Sequence, residues 1–278
     1  MAQYRIDTQE YLANGTTIFE AILLSDKDGN IINSFGIASN IPIAAGDLEG
    51  WDAVHKFGAV PAMSTNTTGT VWNRNNTLYP WAAVDNSGAG RALTITVVEP
   101  NNESSTSTAE DGKTVTVTGL DEDLLPVEET IAISGSGGTG SQLFRRVTCA
   151  RINDGTNTKR ILIKSDTTVV AQITENRGQC EAGIYTIPSN KTGYLIKGTA
   201  SAEYGADATV DMYVRQGGSG AFRIGHTLEV SGAGGQYIYE FSVPQKLISN
   251  TDIDVRATTR SNNGRYTCAF DLILIDNP

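Results

Sequence analysis

Lys113–Ser134 reads KTVTVTGLDEDLLPVEETIAIS, and this stretch decides how the rest of the chain is read. Its first arm, Thr114-Val115-Thr116-Val117-Thr118, alternates β-branched polar and apolar residues. Its second arm, Glu128 to Ser134, returns to alternation at Thr130. Side chains alternate across a strand, so a period of two gives each arm one buried and one wet face. Gly119 and Pro126 bracket an acidic connection, one residue suited to turning and the other blocking ladder bonds. The stretch therefore predicts a β-hairpin with an acidic tip.

The composition agrees with that reading. The chain has 278 residues, 39% hydrophobic and 19% charged, with 29 glycines. Scarce helix formers and frequent Gly, Ser, Thr and Asn favour many short strands joined by tight turns. The net charge of -10 repels nucleic-acid phosphates and anionic membranes, so neither is an expected partner. Met1-Ala2-Gln3-Tyr4-Arg5 leads into polar sequence, without the apolar core of a secretory signal. No apolar run approaches the roughly 20 residues of a spanning helix. Cys149, Cys180 and Cys268 are far apart and odd in number. They are expected as buried or half-buried free thiols in a chain folded in a reducing cytoplasm.

Strand patterns recur along the chain. Ile18–Leu24 and Ile31–Phe35 flank Asp28-Gly29, a hairpin signal. Residues 46–58 are the best place for a helix, capped near Asp47 or Gly50 and ended by Gly58; an irregular turn pinned by Trp51 and Phe57 is the alternative. Trp51, Trp72 and Trp81 lie in polar sequence, as core anchors or interface residues. Arg91–Val98 is an alternating strand, and Gly135–Gly140 reads as a flexible turn. Cys149–Ile152 and Arg160–Ile163 read as another hairpin pair around Asp154-Gly155. Further strands follow at Thr209–Arg215, Leu228–Val230, Tyr237–Val243, Ile253–Thr258 and Cys268–Ile275. Strands about every ten residues without intervening helices argue for sandwiches or jelly rolls. The polar stretch Lys164–Thr168 marks the expected boundary.

The chemistry-bearing residues are sparse. His55 and His226 lack a nearby nucleophile motif and metal-ligand spacing. The pairs Asp121/Asp123 and Asp252/Asp254 read as a solvated turn and a strand start, not as carboxylates in an apolar pocket. Asp26–Asn30 lacks the later glutamate of a calcium loop, and the glycines at 135–140 lack the lysine and helix of a phosphate cradle. No catalytic residue, cofactor or metal is expected. An acidic stretch from Glu99 to Glu129 precedes a basic one of Arg145, Arg146, Arg151, Lys159, Arg160 and Lys164. It reads as solvated surface, or as two patches that meet between neighbouring copies and weaken with salt.

Trp51-Asp52-Ala53-Val54-His55-Lys56-Phe57-Gly58, Val71-Trp72, Gly119-Leu120-Asp121 with Glu129-Thr130-Ile131, Phe144-Arg145-Arg146-Val147, Tyr185-Thr186-Ile187-Pro188 and Thr251–Ala257 occur in one order. That order, from about residue 45 onward, resembles virion structural proteins of tailed phages, notably those of marine cyanobacteria and related bacteria. The resemblance implies a virion component without placing it on the particle. It carries no catalytic residues.

The expectation is an all-β protein of two sandwich or jelly-roll-like domains, 1–165 and 166–278, with at most one or two short helices. Its expected role is structural and non-enzymatic: a virion protein assembled in the host cytoplasm. Within that role it is read as a capsid decoration or cement protein, homotrimeric and bound to the major capsid protein or other virion proteins. Trp51, His55, Lys56, Phe57, Trp72, Trp81, Arg145 and Arg146 are the expected contact residues. The alternative is a tail or fibre component that binds host glycans on Trp72, Tyr79 and Trp81.

Overall fold

The deciding hairpin forms as read: β8 (Thr114–Leu120) pairs antiparallel with β9 (Pro126–Ala132), from Thr114 opposite Ala132 to Leu120 opposite Pro126. Val115, Val117, Ile131 and Ile133 turn into a core, while Thr116 and Thr130 bond each other through their hydroxyls at 2.9 Å. The Asp121 carboxylate accepts the Asp123 and Leu125 amides and closes the tip.

The computed structural model describes residues 5–13, 16–25, 31–32, 43–231, 235–260 and 263–278; before residue 43 only the backbone course is described. Two compact units result, one up to Ala53 and one from Val54 to Pro278. The first holds an antiparallel sheet of β1 (Arg5–Ala13), β2 (Thr16–Ser25) and β3 (Ile31–Ile32). The Asp28-Gly29 turn lies outside the described residues.

The second unit contains two sandwiches. One packs the sheet ordered β10 (Gly137–Phe144), β6 (Arg91–Glu99), β12 (Arg160–Ser165), β13 (Thr168–Ile173), with β7 (Asn102–Thr106) beside β6, over a sheet of β11 (Arg146–Ile152), β8 and β9. Leu93, Ile95, Val97, Val117, Phe144, Ile161 and Ile163 fill the space between. The other packs β18 (Gln236–Leu247), β15 (Lys191–Ala202), β20 (Gly264–Asp276), β4 (Trp51–Met63) over β14 (Ile184–Thr186), β19 (Asp252–Thr259), β16 (Ala208–Arg215), β17 (Arg223–Val230), with β5 (Thr68–Thr70) beside β19. β20 shows why: Tyr266, Cys268, Phe270, Leu272 and Leu274 are buried at every second position.

Take the eight main strands of this second sandwich in chain order. The first, eighth, third and sixth form one sheet; the second, seventh, fourth and fifth form the other. Nearly every connection thus crosses between sheets, the double Greek key of a jelly roll. The first sandwich is inserted whole between β5 and β14.

The all-β expectation is met, with a helix at Trp81–Asp85 and short 3-10 turns. Four local expectations are corrected. The helix expected at 46–58 is largely the extended strand β4. A Cβ on Gly58 would run into the Val71 carbonyl and the Gly183 amide, so the strand serves a close backbone crossing instead of a helix end. The glycines at 137–140 lie in β10, where Gly137 and Gly138 lie against the carbonyls of Ile95 and Ala132. β11 and β12 do not pair as a hairpin; β11 joins β8 and β12 joins β6. The expected boundary at 165/166 falls inside the β12–β13 hairpin, which pairs Ser165 with Thr168.

Candidate functional site

The eight residues expected at contacts divide into an inner and an outer set. Trp72 and Trp81 are 2% and 7% exposed. They sandwich Tyr79 edge-to-face, with ring centroids 5.2 Å and 4.9 Å apart, and Phe222 continues the stack beyond Trp81. This is the favoured edge-to-face arrangement of aromatic quadrupoles. Burial also pushes the Tyr79 phenol well above its usual range. The tryptophans therefore cannot offer a surface platform to a glycan or a partner, and that expectation is corrected.

Beside the stack lies a buried ion network where β11 of the inserted sandwich meets β19 of the jelly roll. Arg146, 1% exposed, donates from Nε to Asp252 Oδ1 at 2.9 Å and from Nη1 to Asp85 Oδ1 at 2.6 Å. Asp252 also accepts the Thr186 hydroxyl at 2.6 Å and the Arg215 guanidinium at 2.6 and 2.9 Å. Asp254 accepts Trp81 Nε1, the Thr70 hydroxyl and Arg256. Arg146 and Arg215 lie over the Trp81 ring at 5.5 and 5.6 Å. Asp252 and Asp254 do begin a strand at i, i+2, but they are fully buried and engaged. Arg146 is an internal clasp, not an external contact, because a buried guanidinium requires carboxylates around it. Arg145 is half-buried and bonds Asp85 at 2.8 Å. Burial pushes the Asp85 carboxyl up, yet the bonds from Arg145 and Arg146 outweigh it and hold the group below the usual range.

On β4, His55 and Phe57 alternate outward, and the His55 ring bonds Asp271. Lys56 turns the other way and donates to the Thr148 carbonyl at 2.5 Å. Trp51, in the N-terminal unit, is exposed.

The acidic and basic stretches do meet, but within one chain. Lys159 pairs with Glu99 at 2.6 Å, Arg160 with Glu103 at 3.7 Å and Arg151 with Glu128 at 3.9 Å. Glu110 accepts the Thr158 and Lys159 amides and Lys113 Nζ. These pairings already engage part of the charge that the reading of patches between neighbouring copies would use.

The surface that sequence reasoning missed is the flank where the two sheets of the jelly roll end, at β17 and β18. His226 of β17 and Tyr239 of β18 close the flank with ring centroids 4.4 Å apart, backed by Phe241. On these two edge strands Ile224 is 56% exposed, Ile238 53% and Val243 79%, and Tyr237 is exposed too. One signal was available: Pro244 follows the run Tyr237-Ile238-Tyr239-Glu240-Phe241-Ser242-Val243, and proline inside a strand marks a sheet edge.

An open groove of about 300 Å³ lies along Thr118–Leu120, Pro126–Glu128, Thr148, Tyr185 and Pro188, with Glu128 its only carboxyl group. Among the described residues no group of three or more His, Cys, Asp or Glu side chains is arranged to hold a metal ion. No described helix is long and apolar enough to cross a membrane.

No family model matches the chain, and no curated protein matches it. Among solved structures, cowpea mosaic virus top component, the naturally occurring empty particle, aligns at 10% identity over 68% of this chain and 82% of that one, with a TM-score of 0.20. Infectious bursal disease virus, Gt strain, aligns at 10% identity over 82% and 71%, with a TM-score of 0.21. The VP2 subviral particle of the same virus aligns at 9% identity over 82% and 73%, with a TM-score of 0.18. The chain is thus similar to these virus particle proteins at an overlap too low to argue from.

Proposed function

We propose that this protein is a virion structural protein that works through surfaces joining it to other copies and to other particle proteins. The observation that carries the reading is the eight-stranded jelly roll whose edge strands β17 and β18 carry exposed apolar side chains among the described residues. Jelly rolls recur in viral capsid and lectin domains. A fold alone assigns no function, but large apolar side chains gathered on two edge strands mark an association surface. The ordered motifs that resemble tailed-phage virion proteins support the same reading.

Within it, the protein is a capsid decoration or cement protein, trimeric, that adds interface across the boundaries of the major capsid protein. About 800 Å² per partner is the scale of one specific contact, and symmetry repeats it over the particle. The rival, a tail or fibre protein binding host glycans, has lost its tryptophan platform to the core and would need another surface.

Native mass spectrometry of the full chain, followed by mixing with DNA-free heads, tests the proposal. A discrete oligomer that adds to heads in fixed stoichiometry is expected. A monomer that ignores heads but binds sugars on a glycan array would overturn it.

A further inference from the structure

We propose that Cys149 and Cys180 form a thiol pair that a small-molecule disulfide converts to an intramolecular cystine. The inference stands apart from the proposed virion role.

The pair sits where the inserted sandwich hands the chain back to the jelly roll. Cys149 lies on β11 next to the register shift that follows Val147. The segment 178–182 runs antiparallel beside it. The Ile152 amide donates to the Gly178 carbonyl and the Cys180 amide to the Ala150 carbonyl, both at 2.8 Å. Arg151 bridges Gln179. The Ala150 amide, instead of finding a carbonyl, donates to Cys180 Sγ at 3.2 Å. That bond holds the Cys180 sulfur over β11, beside the peptide that joins Cys149 to Ala150.

The two sulfurs differ in character. Cys149 is half-buried; Cys180 is buried. The hydrogen bond from Cys180, with Lys56 and Arg151 nearby, lowers the Cys149 thiol to about 6 against the cost of burial. The same hydrogen bond and full burial raise Cys180. Lys56 is fixed in place by its bond to the Thr148 carbonyl. A thiolate, not a thiol, is the nucleophile. Cys149 is therefore the attacking sulfur and Cys180 the resolving one. Cys268 is buried on β20, and burial pushes its thiol up to about 12, so it stays outside the exchange.

The step balances as ordinary exchange. The Cys149 thiolate attacks one sulfur of the small disulfide, breaks its S–S bond and expels one thiolate. Cys180 then gives up its proton and attacks the Cys149 sulfur, expelling the second thiolate. Two protein thiols are oxidised, and the small disulfide is reduced to two thiols that take up the released protons. Closure brings the two sulfurs to about 2.05 Å.

The test uses the reduced full chain and oxidised glutathione. Remaining thiols are alkylated after denaturation, and the digest is mapped by mass spectrometry. The expected main product is a Cys149–Cys180 linked peptide with Cys268 fully alkylated. Cys180→Ser is expected to stop at a glutathione adduct on Cys149. The wild-type map suffices even if that variant folds poorly. A persistent Cys149 adduct in wild type, links to Cys268, or full alkylation of all three cysteines would overturn the proposal.

Discussion

Arg146 Nε lies 2.9 Å from Asp252 Oδ1, and with this bond the inserted sandwich is fastened to the jelly roll. The two residues are 106 positions apart, and both are withdrawn from water. Two charges in that setting are tolerable only together, since removing one leaves the other uncompensated.

Asp252→Ala should therefore destabilise the fold by about 3–5 kcal/mol, as breaking a buried ion pair does. Arg146→Met with Asp252→Leu should cost much less than the sum of the single changes. Urea unfolding of wild type, Arg146→Met, Asp252→Leu and the double variant checks this, and strict additivity would refute the coupling.

Acid should weaken the same junction. Asp85 is held below its usual range by Arg145 and Arg146 despite burial. Glu110 is likewise held low by Lys113 and the Thr158–Lys159 hydrogen bonds, which outweigh its burial. A carboxyl depressed in the folded state contributes stability that is present above its unfolded value, about 4. That contribution is lost as pH falls through the folded value. Melting temperature should hold steady near neutrality and drop below about pH 4. Asp85→Asn should flatten part of the drop; an unchanged slope would count against the assignment.

Tryptophan emission should report the inner stack. Trp72 and Trp81 are shielded, and Trp51 is exposed. Acrylamide should quench one component, and Trp51→Phe should remove it. Loss of the quenchable component in Trp81→Phe instead would place the stack at the surface.

The β17–β18 flank should govern association without governing folding. Val243→Asp and Ile238→Asp alter exposed side chains, so stability should move by no more than about 0.5 kcal/mol. Each should shift the oligomer toward monomer in sedimentation. Because the acidic and basic stretches pair within the chain, wild-type association should change little between low and high salt. An oligomer indifferent to both charges would exclude this flank as the interface.

The chain's local order was written in period and punctuation. Thr114–Thr118 and Cys268–Ile275 alternate because a strand presents one face to a core, and the strands stand where those patterns fall. The thiols of Cys149, Cys180 and Cys268 were expected free, and they are. Pairing between distant strands carries no such local mark. Residues 46–58 hold caps and glycines that suit a helix, yet close backbone crossing at Gly58 favours extension. Asp252 and Asp254 look like a wet strand start, and Arg146 like a surface charge, until Arg215, Arg256 and Trp81 arrive from elsewhere. Whether a tryptophan is core or contact depends on what covers it, and cover comes from segments far along the chain. Sequence alone determined strand content and the facing of side chains within each strand. The nesting of one sandwich inside another, the buried clasp and the bare flank were decided in three dimensions, where burial and charge compensation act between residues with no local relation.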